Sequence, residues 1–185
     1  MRFNYLVYVG IIVLLSFSIF IISTISASGV DDSYTKSLFH MNGANTSTTF
    51  TDESGKTVTV NGNSKISTAQ SKFGGASGYF DGTGDYLNLS DNADFEFDAN
   101  FTIDFWYYAT ALPPTNAYAP IVAKGNYQNA DLKYWMIGIT SGQYYWYSAN
   151  GTNTGYYNFG NSAVTDRWVH IAVSRAGTTF YMFVN

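Results

Sequence analysis

The chain has 185 residues, of which 46% are hydrophobic, 18% aromatic and 12% charged, and it contains no cysteine. Its formal net charge is -4, and its few lysines and arginines are scattered, so the clustered positive charge that neutralises nucleic-acid phosphates is missing. The absence of cysteine excludes disulfides, thiolate metal sites and cysteine nucleophiles together. This acidic, lightly charged composition fits an extracellular protein without a nucleic-acid partner.

The first 30 residues form a hydrophobic leader. Arg2 precedes an uncharged and mainly apolar stretch over residues 6–25, and small residues follow at 26–29. This order predicts a signal peptide cleaved near Ala27 or Ser28. Since twenty helical residues span ~30 Å, an uncleaved membrane anchor is the alternative. Both interpretations predict export to the cell surface or beyond, with membrane contact only through this segment.

Residues 31–185 are predicted to form a single all-β domain. Tyr, Phe, Thr and Val suit a pleated, half-buried surface, and no window after residue 30 has a sustained helical period. The predicted strands, in chain order, are residues 37–41, 57–60, 65–67, 78–80, 86–89, 101–108, 121–123, 134–140, 144–148, 156–159, 168–174 and 178–184. Many short strands separated by turn residues indicate a β-sandwich or barrel.

The longest strands have a clear apolar alternation. Successive side chains of a strand point to opposite faces, so every second residue shares one face. The residues predicted to form the core on this basis are Phe101, Ile103, Phe105, Trp135, Ile137, Ile139, Val169, Ile171 and Val173.

Residues 73–89, FGGASGYFDGTGDYLNL, contain a glycine-rich loop between two predicted strands. A phosphate loop needs a following helix and, in its Walker form, a lysine, whereas an EF-hand needs alternating acids and a final glutamate. Neither pattern is present, so DGTGD is predicted to be a turn. The alternative is that Asp81 and Asp85 bind calcium, which accepts carboxylates in flexible geometry.

Several stretches together resemble the laminin-G-like domain of the concanavalin A-like lectin/glucanase superfamily. They are SLFHMNGAN, FTDESGKTVTVNG, ISTAQSKFGGASGYFDGTGDYLNL, NFTIDFWYYATALP, YWMIGITSGQYYWYS and DRWVHIAVSRAGTTFYMFVN, which span roughly residues 36–185. The combination of FGG…YFDGTGDYL with FTI-x-FW and W-x-H-x-A-x-x-R is more specific than any one piece.

The resemblance implies an antiparallel two-sheet jelly-roll sandwich that binds glycans or protein partners, often with calcium. Family members continue with further strands after the one resembling TFYMFVN, so the resemblance implies a C-terminally incomplete sandwich. A short domain with an open sheet edge is the alternative. In the related pentraxins a loop resembling KGNYQNADLKYW supplies calcium ligands, which adds Asn129 and Asp131 to the predicted metal ligands.

Tyrosines are the candidate ligand-binding residues, because flat apolar rings with a polar tip stack on sugars. If Tyr144 and Trp146 face the core, as the family pattern implies, the odd-numbered neighbours on the same strand face outward. Tyr157 is an alternative to Tyr156 on the adjoining segment. The alternative is that these rings only cover the sheet or pack under loops. The predicted ligand-binding set is Tyr134, Tyr145, Tyr147 and Tyr156.

The first functional hypothesis is an exported, non-catalytic binding module for carbohydrate or for a cell-surface or matrix protein. The second is a glycoside hydrolase, because Asp94, Glu96 and Asp98 alternate and, on a strand, would share one face. The alternative is a solvated loop with Phe95 and Phe97 pointing inward. The superfamily's β-glucanases carry a Glu-x-Asp-x-x-Glu strand, but a pattern that starts at Glu96 places Phe101 at its last position. The third hypothesis is a structural surface or appendage protein that packs against copies of itself.

Overall fold

A computed structural model describes residues 33–125, 133–150 and 154–185, and strands dominate these ranges. One 3₁₀ turn, Ala93–Phe95, is the helical segment within them. The strands are β1 (Val58–Asn61), β2 (Lys65–Ser67), β3 (Ser77–Tyr79), β4 (Tyr86–Leu89), β5 (Phe101–Tyr108), β6 (Tyr118–Lys124), β7 (Lys133–Thr140), β8 (Gln143–Asn150), β9 (Thr154–Ser162), β10 (Trp168–Ala176) and β11 (Thr179–Val184).

Two antiparallel sheets pack face to face. One has four strands in the order β6-β7-β8-β9, and the other has three in the order β11-β10-β5. Two small sheets, β1-β4 and β2-β3, precede them in the chain. The all-β antiparallel sandwich that the sequence predicts is thereby confirmed.

The main core lies between these two sheets, and it contains every residue that the alternation predicted for it. Ile137, Val169, Ile171 and Val173 are fully buried. Burying an aliphatic side chain of this size contributes about 1.5–3 kcal/mol, so these contacts are a principal source of stability. The prediction of the core is confirmed.

The strand predicted for residues 37–41 is wrong. The Leu38 backbone N–H donates to Asp52 Oδ1 at 2.8 Å rather than to the carbonyl of a neighbouring strand. Met41 has a φ of 54°, which no β-strand residue adopts. The buried carboxylate of Asp52 therefore accepts the backbone N–H that would otherwise bond to a neighbouring β-strand, and the segment is irregular.

The predicted leader, residues 1–30, lies outside the described residues. Within the described ranges no helix is long and apolar enough to cross a bilayer.

Candidate functional site

The outer surface of the four-stranded sheet carries an aromatic cluster, which we call the tyrosine face. It lies opposite the main core, and its buried centre is a separate apolar cluster. All four tyrosines that the sequence predicted as ligand-binding residues meet here, and one more joins them. The rings of the tyrosine face are Tyr118, Tyr134, Tyr145, Tyr147 and Tyr156.

The alternation of β8 explains why the tyrosine face forms. Tyr144 and Trp146 point into the main core, so Tyr145 and Tyr147 project from the other side of the sheet. In the antiparallel register Tyr147 pairs with Tyr156 of β9, which places both rings on one face. The side assignments predicted for these tyrosines agree with the structure.

The rings contact one another in a continuous row. Tyr134 stacks on Tyr147 with centroids 5.5 Å apart, and Tyr145 stacks on Tyr156 at 6.0 Å. Tyr118 meets Tyr145 edge-on at 5.4 Å. Offset and edge-to-face pairs of this kind stabilise each other, so the rings support one another in fixed positions.

Burial divides the tyrosine face into a base and an accessible part. Tyr145 is fully buried and Tyr134 is 6% exposed, whereas Tyr118 is 63% and Tyr156 44% exposed. The Tyr145 hydroxyl donates to Met136 Sδ at 3.3 Å. Tyr134 and Tyr145 therefore support the surface, and Tyr118 and Tyr156 present rings to solvent.

The phenols of the base stay protonated at neutral pH. Burial, followed by the neighbouring Tyr118 and Tyr156, raises the pKa of Tyr145 to about 12. Burial, followed by the hydrogen bond with Tyr147, raises the pKa of Tyr134 to about 12. The base of the tyrosine face is accordingly uncharged over the physiological range.

Side-chain amides lie beside the exposed rings. Asn158 pairs with Tyr145 in the register of β8 and β9, so it projects on the same side as Tyr156. Its Nδ2 donates to Gln143 Oε1 at 2.7 Å, and its Oδ1 accepts from the Gly160 N–H at 2.9 Å. An amide has two N–H donors, so Asn158 keeps donor capacity beyond the bond to Gln143.

Sequence reasoning missed Tyr118. The sequence places Pro120, together with Pro113 and Pro114, in a loop that leads to the strand predicted for residues 121–123. In the structure β6 is an edge strand that starts at Tyr118 and contains a register shift between Pro120 and Val122. Proline is tolerated in edge strands and at bulges. Applied to Pro120, this rule would have extended the predicted strand back to Tyr118.

The DGTGD segment forms the predicted turn, and its two aspartates hold the local backbone. Asp81 Oδ1 accepts from the Thr83 N–H at 2.7 Å, and Asp85 accepts from the backbone N–H groups of Asp81 and Asn63. These bonds, that from Asp81 foremost, hold the pKa of Asp85 below its ordinary value. Calcium bound here would have to use lone pairs that these amides leave free.

The other predicted metal ligands, Asn129 and Asp131, lie outside the described residues. Across residues 33–125, 133–150 and 154–185 no group of three or more His, Cys, Asp or Glu side chains is arranged to hold a metal ion. Calcium binding stays a prediction.

The alternating acids at residues 94–98 do not lie on a strand. Asp94 belongs to the 3₁₀ turn and pairs with Lys56 at 3.0 Å, while Lys133 Nζ lies 3.1 Å from Glu96 and 2.7 Å from Asp98. The strand face that the hydrolase hypothesis requires does not form, because the 3₁₀ turn breaks the alternation, and the segment lies in a loop as the alternative predicts.

The electrostatics of these acids also differ from those of a glycosidase pair. A general acid in such a pair needs a raised pKa. The hydrogen bond from Lys133, followed by its charge, instead holds the pKa of Asp98 below its ordinary value. This segment serves as a set of surface ion pairs.

Comparison with known proteins gave one family. A family model, Laminin_G_3, described as the concanavalin A-like lectin/glucanases superfamily, matches residues 81–185. The match covers β5 to β11 completely and therefore both large sheets. Neither a search of curated proteins nor a search of solved structures found a match.

Proposed function

We infer the function from one premise, which is that the chain belongs to the laminin-G-like family of the concanavalin A-like lectin/glucanases superfamily. We propose that it is an exported, non-catalytic module that binds carbohydrate on the tyrosine face. Membership makes it a lectin-like binding module at the level of the superfamily. The choice of ligand and of surface is our proposal.

The observation that carries the proposal is the pair of exposed rings, Tyr118 and Tyr156, held on a buried tyrosine base. The ring of Tyr145 lies under both of them, with its centroid 5.4 Å from that of Tyr118 and 6.0 Å from that of Tyr156. A ring that is already held in place loses little conformational freedom when a ligand stacks on it. Pre-formed aromatic surface of this kind suits the apolar face of a pyranose.

Polar groups and charge agree with a neutral sugar as the ligand. The amides of Asn158 and Gln143 lie next to the rings and supply donors and acceptors for hydroxyl groups. The side chains that the structure describes along the tyrosine face include no carboxylate, lysine or arginine. An acidic or basic ligand would find no partner there, so an uncharged glycan is favoured.

A glycan array probed with the exported chain tests this function. We expect binding to neutral glycans, and loss of that binding in Tyr118→Ala and Tyr156→Ala, each of which removes one exposed ring. Tyr86→Ala is the matched control, because Tyr86 is 55% exposed on β4, away from the tyrosine face.

Three results would contradict the proposal. Binding that survives both substitutions would place the ligand elsewhere. An absence of glycan binding together with self-association in size-exclusion chromatography would favour the structural role instead. Release of reducing sugar from β-glucans would identify a hydrolase.

Export has its own test. Expression of the full chain in an exporting host, followed by mass spectrometry of the product, reports the mature N-terminus. Cleavage near Ala27 or Ser28 would indicate a secreted module, and an intact N-terminus in the membrane fraction would indicate an anchored one. Retention of the chain in the cytoplasm would contradict export.

A further inference from the structure

The outer surface of the three-stranded sheet carries exposed aromatic side chains, and we call it the back face. In β5, β10 and β11 every second residue packs against the main core, so the residues between them point outward. The back face therefore lies on the opposite side of the sandwich from the tyrosine face. Its defining residues are Asp104, Trp106, His170, Ala172, Tyr181 and Phe183.

The rings of the back face are large and open to solvent. Trp106, Tyr181 and Phe183 are 37%, 47% and 57% exposed. The register places Phe183 opposite Ala172, whose methyl group is too small to cover the neighbouring ring. A cluster of large exposed rings on one face of a domain is typical of an interaction surface.

The loop between β2 and β3 extends the back face. Its Phe73 is exposed and meets Trp106 edge-on, with ring centroids 5.9 Å apart. Lys72 Nζ lies 4.0 Å from the centroid of Trp106, and the ring of His170 stacks on Trp106 at 5.0 Å. Three neighbours thus hold the indole in place at the centre of this surface.

Two charges of opposite sign lie at different points of the back face. In the part of the chain that the structure describes, Lys72 contacts the rings of Phe73 and Trp106 and forms no ion pair. The Asp104 side chain is 63% exposed, and its ion-pair partner His170, at 3.3 Å, is charged only when protonated. Each charge is therefore accessible to an opposite charge on another molecule.

We propose that the back face binds the back face of a second copy of this chain, about a twofold axis that brings Lys72 of each copy to Asp104 of the other. A twofold interface uses the same patch on both copies, so the patch must be complementary to itself. One cation and one carboxylate at different points of a single aromatic patch meet this requirement. A partner surface of one charge would leave one of the two groups unmatched.

The shape of the back face also favours a protein over a small ligand. Small molecules usually bind in concave pockets, whereas the back face is the outer surface of a sheet. Its three strands, about 4.8 Å apart, make a narrow surface. Interfaces at the lower end of the size range belong to complexes that dissociate readily, so we expect a dimer that dissociates on dilution.

The dimer would carry its two tyrosine faces on opposite outer surfaces, because each lies on the far side of its own sandwich. If the tyrosine face binds glycan, one dimer would cross-link two glycans, which raises the avidity for a surface that displays many of them. This consequence rests on the proposed function, whereas the dimer itself does not.

Sedimentation velocity of the exported chain without glycan, over a range of concentrations, tests the dimer. We expect a monomer–dimer equilibrium in the unmodified chain. Lys72→Glu and Asp104→Lys should each raise the Kd of the dimer at least tenfold, because each opposes like charges across the axis. The two variants change the net charge in opposite directions, so a loss in both cannot come from net charge. An equal mixture of the two should recover the dimer, since both charge pairs are then attractive.

A matched pair of ring variants tests the apolar contribution. Phe183→Ala should weaken the dimer, while Tyr86→Ala, which removes a similarly exposed ring from β4, should not. Circular dichroism checks that every variant is folded.

Four outcomes would overturn the proposal. They are a chain that stays monomeric at every concentration, a dimer that survives both charge reversals, a mixture of the two variants that stays monomeric, and equal dimerisation in Phe183→Ala and Tyr86→Ala. Loss of glycan-array binding in Phe183→Ala, in a chain that shows no dimer, would assign the back face to a sugar instead of a second copy.

Discussion

Tyr145 lies directly opposite Gly138 in the β7–β8 pair, and its phenol oxygen is 2.9 Å from the position that a Cβ at residue 138 would occupy. The same Cβ would approach the Ala119 carbonyl oxygen to 2.4 Å and Pro120 Cα to 2.9 Å. Residue 138 therefore has no room for a side chain, and the ring of Tyr145 passes over it. This contact fixes the base of the tyrosine face.

Gly138→Ala should destabilise the fold, because backbone atoms of β6 would have to move to admit the added methyl group. Overpacking of this kind costs about 1–3 kcal/mol in the free energy of unfolding. Urea denaturation measures the change. Gly155→Ala is the matched strand control, since a Cβ there meets only side-chain atoms, at 3.1 Å and 3.4 Å. Equal losses in the two variants would contradict the account of Gly138.

The hydroxyls of Tyr107 and Tyr144 form a hydrogen bond inside the sandwich. Tyr144→Phe should lower the free energy of unfolding by about 1–3 kcal/mol, because it leaves the Tyr107 hydroxyl without its partner. The double variant Tyr107→Phe with Tyr144→Phe should lose less than the sum of the two single variants. Strict additivity in this double-mutant cycle would show that the two hydroxyls do not interact.

Asp52 should make the stability depend on acid pH. Burial alone would raise the pKa of its carboxyl, but hydrogen bonds from Leu38 and Ser54 outweigh burial and hold the pKa below its ordinary value of 3.8. The folded state then binds the proton less readily than the unfolded state. The resulting stabilisation is complete above pH about 4 and is lost as the pH falls through the folded-state pKa.

Urea denaturation between pH 7 and pH 3 measures this dependence. Asp52→Asn should be less stable at pH 7 and should lose less of its remaining stability on acidification than the unmodified chain. Asp166→Asn, a change of an exposed aspartate, is the control for the loss of one carboxylate from the surface. A wild-type profile in Asp52→Asn would contradict the role of this carboxylate.

Calcium binding predicts a higher melting temperature in calcium than in EDTA. A ligand that binds only the native state at 100 times its Kd adds about 2.7 kcal/mol to the free energy of unfolding. If Asp81 and Asp85 are ligands, Asp81→Asn should abolish the shift while Asp85→Asn also weakens the turn that its carboxylate holds. Identical melting temperatures in calcium and EDTA would remove this prediction.

Much of the large sheets could be predicted from the sequence, because local alternation decides them. Strands β2, β4 and β5 have the predicted limits, and the residues of β5, β7 and β10 that face the main core are those that alternation assigns. A strand buried on one face and exposed on the other must show a period of two in its apolar residues, so one sequence is enough to reveal it.

The remaining errors come from tertiary contacts that local patterns do not contain. Residues 37–41 look like a strand, but the side chain of Asp52 takes the Leu38 N–H. Alternation placed Tyr145 on the correct side but did not show that neighbouring rings would bury it completely. In the part of the chain that the structure describes, the buried indole N–H of Trp146 makes no hydrogen bond, and this also becomes visible only when both sheets are in place.

Isothermal titration of the exported chain with a neutral glycan selected on the array tests the central claim most directly. The account predicts that Tyr156→Ala reduces affinity at least tenfold, while Tyr86→Ala binds like the unmodified chain and both variants remain folded. Unchanged affinity in Tyr156→Ala, or an equal loss in both variants, would contradict binding on the tyrosine face.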